Sequence, residues 1–135
     1  MQAFCRISDK PIRMRSQVYE PDIVIVQDTT LLATVNVTSG VKSGGIVLLN
    51  TERTAQELGL EGDFKVITVP ATKIGMEVLG RPITNTSIMG AFAAASGAIS
   101  IEAIERNIKS RFRGELGEKN VICAQRAYEL IKEQM

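Results

Sequence analysis

Three stretches in the first half of the chain have the hydrophobic pattern of buried β-strands. Ile23–Val26 is a run of four apolar, β-branched residues with polar residues on both sides, and similar runs occupy 45–51 and 64–71. Strands that are apolar on both faces are typical of parallel sheets, and each run leads into a segment with helical spacing. We expect Ile23–Val26 to be the central strand. The third run carries Lys65 and Thr68, so we expect it nearer an edge of the sheet.

The remaining pattern predicts a hairpin before the sheet and helices after it. Alternating residues at 3–7 and 12–18, separated by a turn at 8–11, predict an amino-terminal β-hairpin. The expected helices follow Asp28 or Thr29 and cover 54–58, 72–79, 88–96 and 100–112, and a last one runs from about 116 to the end. Asn85 or Thr86 is the expected cap of the helix at 88–96, and a further turn is expected between Thr38 and Gly44. The fold class is therefore α/β: a three-layer sandwich with a mostly parallel sheet, an amino-terminal β-hairpin and a helix-rich carboxyl-terminal half, in a single domain over 1–135.

The expected helix at 88–96 has no polar face. Nearly all of its residues are apolar or small, whereas an amphipathic surface helix carries charge on one side. We therefore expect it to be buried all round, either by its own domain or by another subunit.

The composition argues against several kinds of catalytic and metal-binding site. The chain has no histidine, which excludes the commonest general base at neutral pH and the commonest metal ligand. Sixteen basic residues balance fifteen acidic ones, so overall charge gives no reason to expect nucleic acid or a membrane surface as a partner. Cys5 and Cys123 lack the spacing of a metal or cluster site and fit a reducing cytoplasm. We expect no metal site and no catalytic residue in this chain.

No segment predicts export or membrane insertion. The longest uncharged run, 82–101, is about the length of a membrane span, but it is interrupted by hydroxyl and amide side chains and by glycines. The amino terminus lacks the basic and apolar regions of a secretory signal, so we expect a cytoplasmic protein.

Polar residues follow the predicted strands, where ligands collect in open parallel sheets. These residues are Asp28-Thr29, Asn50-Thr51 and Pro70-Ala71-Thr72, with Asn85-Thr86 as a possible addition. Such residues also cap helices for structural reasons, so capping and ligand contact both remain open. The chain has neither a GxGxxG fingerprint after a strand nor a GxxxxGK[ST] phosphate loop.

The amino-terminal segment is locally basic. Arg6, Lys10, Arg13 and Arg15 are opposed only by Asp9 up to Val18, which fits either a solvated strand face or a binding site for an anion.

Taken together, an ordered set of segments resembles the gamma subunit of the 2-oxoacid:ferredoxin oxidoreductases, the pyruvate synthase type in particular. The matching segments are Ala3–Ser8, Tyr19–Asp22, Asp28–Leu32, Gly45–Thr51, Ala71–Ile74, Gly80–Ile83, Asn85–Phe92, Glu118–Asn120 and Ala127-Tyr128. They cover the whole chain in order, and the set is specific although each piece alone is weak.

The resemblance implies a subunit that is inactive alone. The family's enzymes decarboxylate a 2-oxoacid, by default pyruvate, on thiamine diphosphate, pass electrons through iron–sulfur clusters to ferredoxin, and give the acyl group to coenzyme A. The partners would be the thiamine-binding and ferredoxin-like subunits, and this chain alone would bind none of the cofactors. Arg6, Arg13 and Arg15 are candidate contacts for coenzyme A phosphates, since guanidinium groups suit phosphate, and Asn50 and Thr51 are candidates at the sheet.

One departure from the family pattern concerns the start. Family members usually begin with a strand and a GxGGQG turn opening a helix, a unit of roughly 30 residues that precedes the part seen here. Its absence predicts a bare sheet edge and a homo-oligomer of the isolated chain.

Two other functions are compatible with the pattern. One is a stand-alone α/β module that binds a nucleotide or coenzyme A at the carboxyl ends of the strands. The other is an oligomerisation domain without a ligand.

Overall fold

The computed structural model describes residues 2–135 and contains one parallel sheet with helices on both sides. The strands are β1 (Ile23–Val26), β2 (Gly45–Asn50) and β3 (Phe64–Val69), in the order β1-β2-β3. The register pairs Ile23 with Ile46 and Gly45 with Phe64. The α/β class and the parallel sheet are thus confirmed.

The helices confirm most of the expected pattern. They are a 3₁₀ helix at Thr29–Ala33 and the α-helices α1 (Ala55–Leu58), α2 (Ala71–Leu79), α3 (Asn85–Ser96), α4 (Ile101–Arg111) and α5 (Gly114–Gln134). Asp28 caps the 3₁₀ helix, Thr54 begins α1 in a capping box with Glu57, and Ser100 caps α4. None of the helices in residues 2–135 is long and apolar enough to cross a membrane.

The two faces of the sheet are covered unequally. On one face, Leu48, Ile67 and Val69 pack against α2, α3 and α5 and form the main core. On the other, Val26, Val47 and Leu49 contact side chains from the 3₁₀ helix, α1 and the adjoining loops. The three layers are therefore present, with one thick helical layer and one thin layer.

The central strand is β2, and the expectation that Ile23–Val26 would be central is wrong. Val47, Leu48 and Leu49 are completely buried, whereas β1 lies at an edge and Ile25 is 37% exposed. An apolar run indicates that both faces of a strand are apolar, but it does not indicate whether both of its edges are paired. The expectation that β3 lies at an edge is confirmed.

The expected amino-terminal β-hairpin does not form, since residues 2–22 contain no strand. The segment folds back on itself through Arg6, whose guanidinium donates hydrogen bonds to the carbonyl oxygens of Ser16 (2.6 Å) and Gln17 (3.0 Å). Phe4 and Met14 remain exposed, so the apolar side chains of the alternating segments do not pack on a hydrophobic core. A two-stranded hairpin without such a core is only marginally stable.

The helix α3 is buried by its own domain. It packs between the sheet and α5, with α4 beside it, and Met89 is the large side chain that reaches solvent. The contact with α5 is close because Gly90 has no side chain: a Cβ there would lie 2.7 Å from the Ala124 Cα and would overlap the Ala124 carbonyl. The small residues of α3 therefore serve helix packing within the chain.

Candidate functional site

The carboxyl ends of the three strands meet at one edge of the sheet, where Asn50 joins three segments. Its amide nitrogen donates to the Gln27 carbonyl oxygen (3.0 Å) and to the Thr72 hydroxyl (2.9 Å), while its amide oxygen accepts from the Thr72 backbone N–H (3.2 Å). We call Gln27, Asn50, Thr72 and Thr84 the strand-end cluster. Thr84 belongs to it because its hydroxyl contacts the Gln27 side-chain oxygen (3.4 Å).

The strand-end cluster is only partly the one expected from the sequence. Asn50 and Thr72 take part as expected, but Gln27 and Thr84 were not singled out. Asn85 and Thr86 do not join it, since Asn85 accepts a hydrogen bond from the Thr86 N–H and the Thr86 hydroxyl points inward to Asn120 (3.0 Å). A signal for Gln27 exists in the sequence, because it is the first polar residue after the strand.

Capping and bracing explain much of the polarity at this edge. Asp28 accepts hydrogen bonds from the Thr30 hydroxyl (2.7 Å) and N–H (3.0 Å), and the Thr51 hydroxyl accepts from the Arg53 N–H (3.1 Å). The Thr30 hydroxyl, then the Thr30 N–H, lower the pKa of Asp28. Asp28 therefore stays ionised at neutral pH and is not a proton donor.

We expect Asn50→Ala to lower the free energy of unfolding by about 1–2 kcal/mol, because it removes three hydrogen bonds that hold β1, β2 and α2 together. Urea unfolding followed by circular dichroism measures the change. Thr51→Ala, which removes one local turn contact, is the matched control. Equal stability of the two variants would contradict the bracing role of Asn50.

The amino-terminal segment forms a second candidate site. An open cleft of about 540 Å³ lies between its two passes, and Phe4, Arg6, Met14 and Arg15 contribute to its lining. The Arg6 guanidinium is engaged with the chain itself, as described above. Arg13 and Arg15 are exposed and form no ion pair within residues 2–135, so their charges are available to an anion.

The five candidate residues from the sequence thus fall into two groups. Arg6, Arg13 and Arg15 lie in the amino-terminal segment, and Asn50 and Thr51 lie at the carboxyl edge of the sheet. Within residues 2–135, no hydrogen bond or ion pair joins the two groups.

The two cysteines lie in different surroundings. Cys5 is exposed in the amino-terminal segment, and Cys123 is completely buried on α5. Burial raises the pKa of the Cys123 thiol, so this group stays neutral. The part of the chain that the structure describes contains no group of three or more His, Cys, Asp or Glu side chains that could hold a metal ion.

One further carboxylate has a shifted pKa, and its role is structural. Arg126 on α5 donates to Glu77 on α2 over 2.7 Å, and this hydrogen bond lowers the pKa of Glu77. The pair links two helices at the surface. Like Asp28, Glu77 is ionised at neutral pH and has no proton to donate.

Comparison with known proteins gives consistent matches over almost the whole chain. The family model for pyruvate ferredoxin/flavodoxin oxidoreductase matches residues 1–130. The chain is 53% identical over 131 residues to the pyruvate/ketoisovalerate oxidoreductases common subunit gamma of Thermococcus litoralis, covering 94% of this chain and 70% of that protein. It is 53% identical over 132 residues to the pyruvate synthase subunit PorC of Methanosarcina barkeri, covering 98% of this chain and 72% of that protein.

Solved structures support the same fold. The pyruvate oxidoreductase subunit PORC of Thermotoga maritima matches with a TM-score of 0.78 and 33% identity, over 84% of this chain and 65% of that chain. The gamma subunit of a keto/oxoacid ferredoxin oxidoreductase from Geobacter sulfurreducens matches with a TM-score of 0.62 at 22% identity, a likeness of fold alone. The chain therefore spans about 65% of the length of the Thermotoga subunit.

Proposed function

This chain belongs to the pyruvate ferredoxin/flavodoxin oxidoreductase family as a gamma-type subunit, and we propose that it acts within a multisubunit enzyme that oxidises pyruvate to acetyl-coenzyme A. The observation that carries the proposal is 53% identity to a common gamma subunit, sustained over 94% of this chain. Pyruvate is the proposed 2-oxoacid because it is common to the names of the pyruvate/ketoisovalerate and pyruvate synthase relatives. The electrons would pass to ferredoxin through the other subunits.

The residues of this chain indicate which cofactors the other subunits would have to bind. An iron–sulfur cluster is bound by four cysteines, or by two cysteines and two histidines. The chain has two cysteines and no histidine, with one cysteine exposed near the amino terminus and the other buried on α5, so its residues do not fit a cluster. We assign the clusters, and likewise thiamine diphosphate, to the partner subunits.

The proposed contribution of this chain is to bind the phosphate groups of coenzyme A. Arg13 and Arg15 are the favoured contacts, because they are exposed and free of carboxylate partners within residues 2–135. A guanidinium group can donate two parallel hydrogen bonds to one phosphate. Arg6 would act as a positioning residue that holds the fold-back of the segment through Ser16 and Gln17.

The strand-end residues have a smaller proposed role. The Asn50 amide is already engaged with Gln27 and Thr72, and the Thr51 hydroxyl accepts from Arg53, so a ligand would have to share these groups. We therefore propose that they shape the edge of the sheet against a neighbouring subunit, with phosphate contact left to the arginines.

Reconstitution tests the proposal. The chain is co-expressed with thiamine-binding and ferredoxin-like subunits of such an oxidoreductase, and coenzyme A-dependent reduction of ferredoxin by pyruvate is measured with and without it. We expect activity only when all subunits are present, and none from the chain alone. Full activity of the other subunits without this chain, or pyruvate oxidation by the chain by itself, would refute the proposal.

A further inference from the structure

The backbone groups of β3 point alternately toward β2 and away from the sheet. The Thr51 N–H donates to the Val69 carbonyl oxygen (2.9 Å), and Asn50 is the register partner of Val69, so Val69 and the alternate residues before it bond to β2. Thr68 and Val66 therefore direct their N–H and C=O groups away from the sheet. A row of such outward groups is where a further strand can pair with a sheet.

The last turn of α5 covers this row at Thr68. The Gln134 side-chain amide accepts a hydrogen bond from the Thr68 N–H (3.2 Å) and donates one to the Thr68 carbonyl oxygen (2.7 Å). The same amide nitrogen lies 3.4 Å from the Leu130 carbonyl oxygen, one turn earlier in the helix. A primary amide has a donor and an acceptor like those of a peptide group, so Gln134 takes the place that a residue of a neighbouring strand would occupy.

Capping of α5 does not explain this contact. Gln134 lies at the carboxyl end of the helix, where the unpaired backbone groups are carbonyl oxygens and need donors. The side-chain oxygen of Gln134 is an acceptor and cannot bond to them. It faces the Thr68 N–H instead, although the two residues are 66 positions apart in the sequence. The contact therefore serves the edge of the sheet.

A strand that approached β3 would also meet charged side chains. Lys132 and Glu133 are exposed in the same turn of α5, and Lys65 is exposed on β3 itself. With Thr68 occupied, the outward groups that β3 still offers are those of Phe64 and Val66, and a ladder confined to them is shorter than the usual strand. The Gln134 contact thus decides whether β3 can be paired along its length.

We propose that Gln134 is a latch that closes the β3 edge and keeps β3 from pairing with β3 of a second copy of the chain. All of the residues that form the latch lie in β3 and α5. The end of a helix opens more readily than its interior, so the latch can open while the sheet stays folded. The outward groups of Val66 and Thr68 are then both free to pair.

Hydrogen exchange at the Thr68 amide tests whether the latch forms. In Gln134→Ala the Thr68 N–H loses its acceptor, and we expect this amide to exchange about tenfold faster, while the amides that bond to β2 are unchanged. Gln134→Glu keeps the length of the side chain, but an ionised carboxylate has no hydrogen to donate to the Thr68 carbonyl oxygen, so we expect it to open the latch as well. The matched control is Glu133→Ala, which changes the exposed neighbouring residue and should leave the exchange of Thr68 unaltered.

Self-association tests what the latch does. In sedimentation velocity over a range of concentrations, we expect Gln134→Ala to associate about tenfold more strongly than the unmodified chain or Glu133→Ala. In the associated form the Val66 and Thr68 amides should become protected from exchange, which distinguishes pairing at β3 from association through another surface.

Three results would each overturn the proposal. They are unchanged exchange at Thr68 in Gln134→Ala, association of this variant no stronger than that of the unmodified chain, and association without protection of Val66. None of these measurements involves the oxidoreductase, so the latch and the proposed function can fail separately.

Discussion

Replacing Gly90 by alanine is expected to destabilise the protein by about 3 kcal/mol, because an added methyl group collides with the backbone of α5. The Ala124 carbonyl and Cα cannot rotate away as a side chain would, so α3 and α5 must separate. These helices carry Ala91, Ala94 and Cys123 into the main core, and their separation would loosen the packing on the sheet. Thermal unfolding followed by circular dichroism should show a fall in Tm of roughly 10 °C.

The control for this prediction lies on the same helix. Met89→Ala changes an exposed side chain, and we expect only a small change in Tm from it. If Gly90→Ala unfolded at the same temperature as the unmodified chain, the close approach of α3 and α5 would be wrong.

Replacing both Arg13 and Arg15 by alanine is expected to raise the KM for coenzyme A by about tenfold to a hundredfold, since charge-assisted hydrogen bonds contribute about 1.5–3 kcal/mol each and solvent weakens exposed ones. The kcat at saturating coenzyme A should change little, because the phosphate groups that the two arginines are proposed to bind lie far from the reacting thiol of coenzyme A. The measurement uses the assembled oxidoreductase, with pyruvate saturating and coenzyme A varied.

A matched pair of arginines provides the control. Arg111 and Arg113 are also exposed, near the junction of α4 and α5, and Arg111→Ala/Arg113→Ala removes the same amount of charge. We expect this variant to leave the KM for coenzyme A unchanged. An equal KM effect from both double variants would indicate general electrostatic attraction, and no effect from either would remove the amino-terminal segment from the coenzyme A site.

The sequence predicted well those elements whose hydrophobic pattern is compatible with only one secondary structure. The stripe Ile101, Ile104, Ile108 at helical spacing can be buried only by a helix, and Ser100 caps that helix as expected. The continuous apolar run of β2 likewise belongs to a strand buried on both faces.

Where the sequence prediction was wrong, the deciding contacts lie far apart along the chain. The order of the strands depends on pairing across the sheet, so the composition of β1 could not place it at the edge. The alternating segments at 3–7 and 12–18 have strand character, but whether they pair depends on a surface to cover, which residues 2–135 do not supply.

The candidate site was predicted only in part, because some of its contacts also join residues that are far apart in the sequence. That Asn50 ends a strand is local information, and it placed this residue correctly at the carboxyl edge. Its bonds to Gln27 and Thr72 span more than twenty residues of sequence, so they became visible only in the folded chain.

The most direct measurement of the central claim is the composition of the complex that this chain enters. A tagged copy is isolated from its native cells by mild affinity purification, and the intact complex is weighed by native mass spectrometry. We expect a species that contains this chain in fixed ratio with a thiamine diphosphate-binding subunit and an iron–sulfur subunit. Recovery of the chain only by itself or as a homo-oligomer, with neither of those subunits, would contradict its assignment as a working part of a pyruvate oxidoreductase.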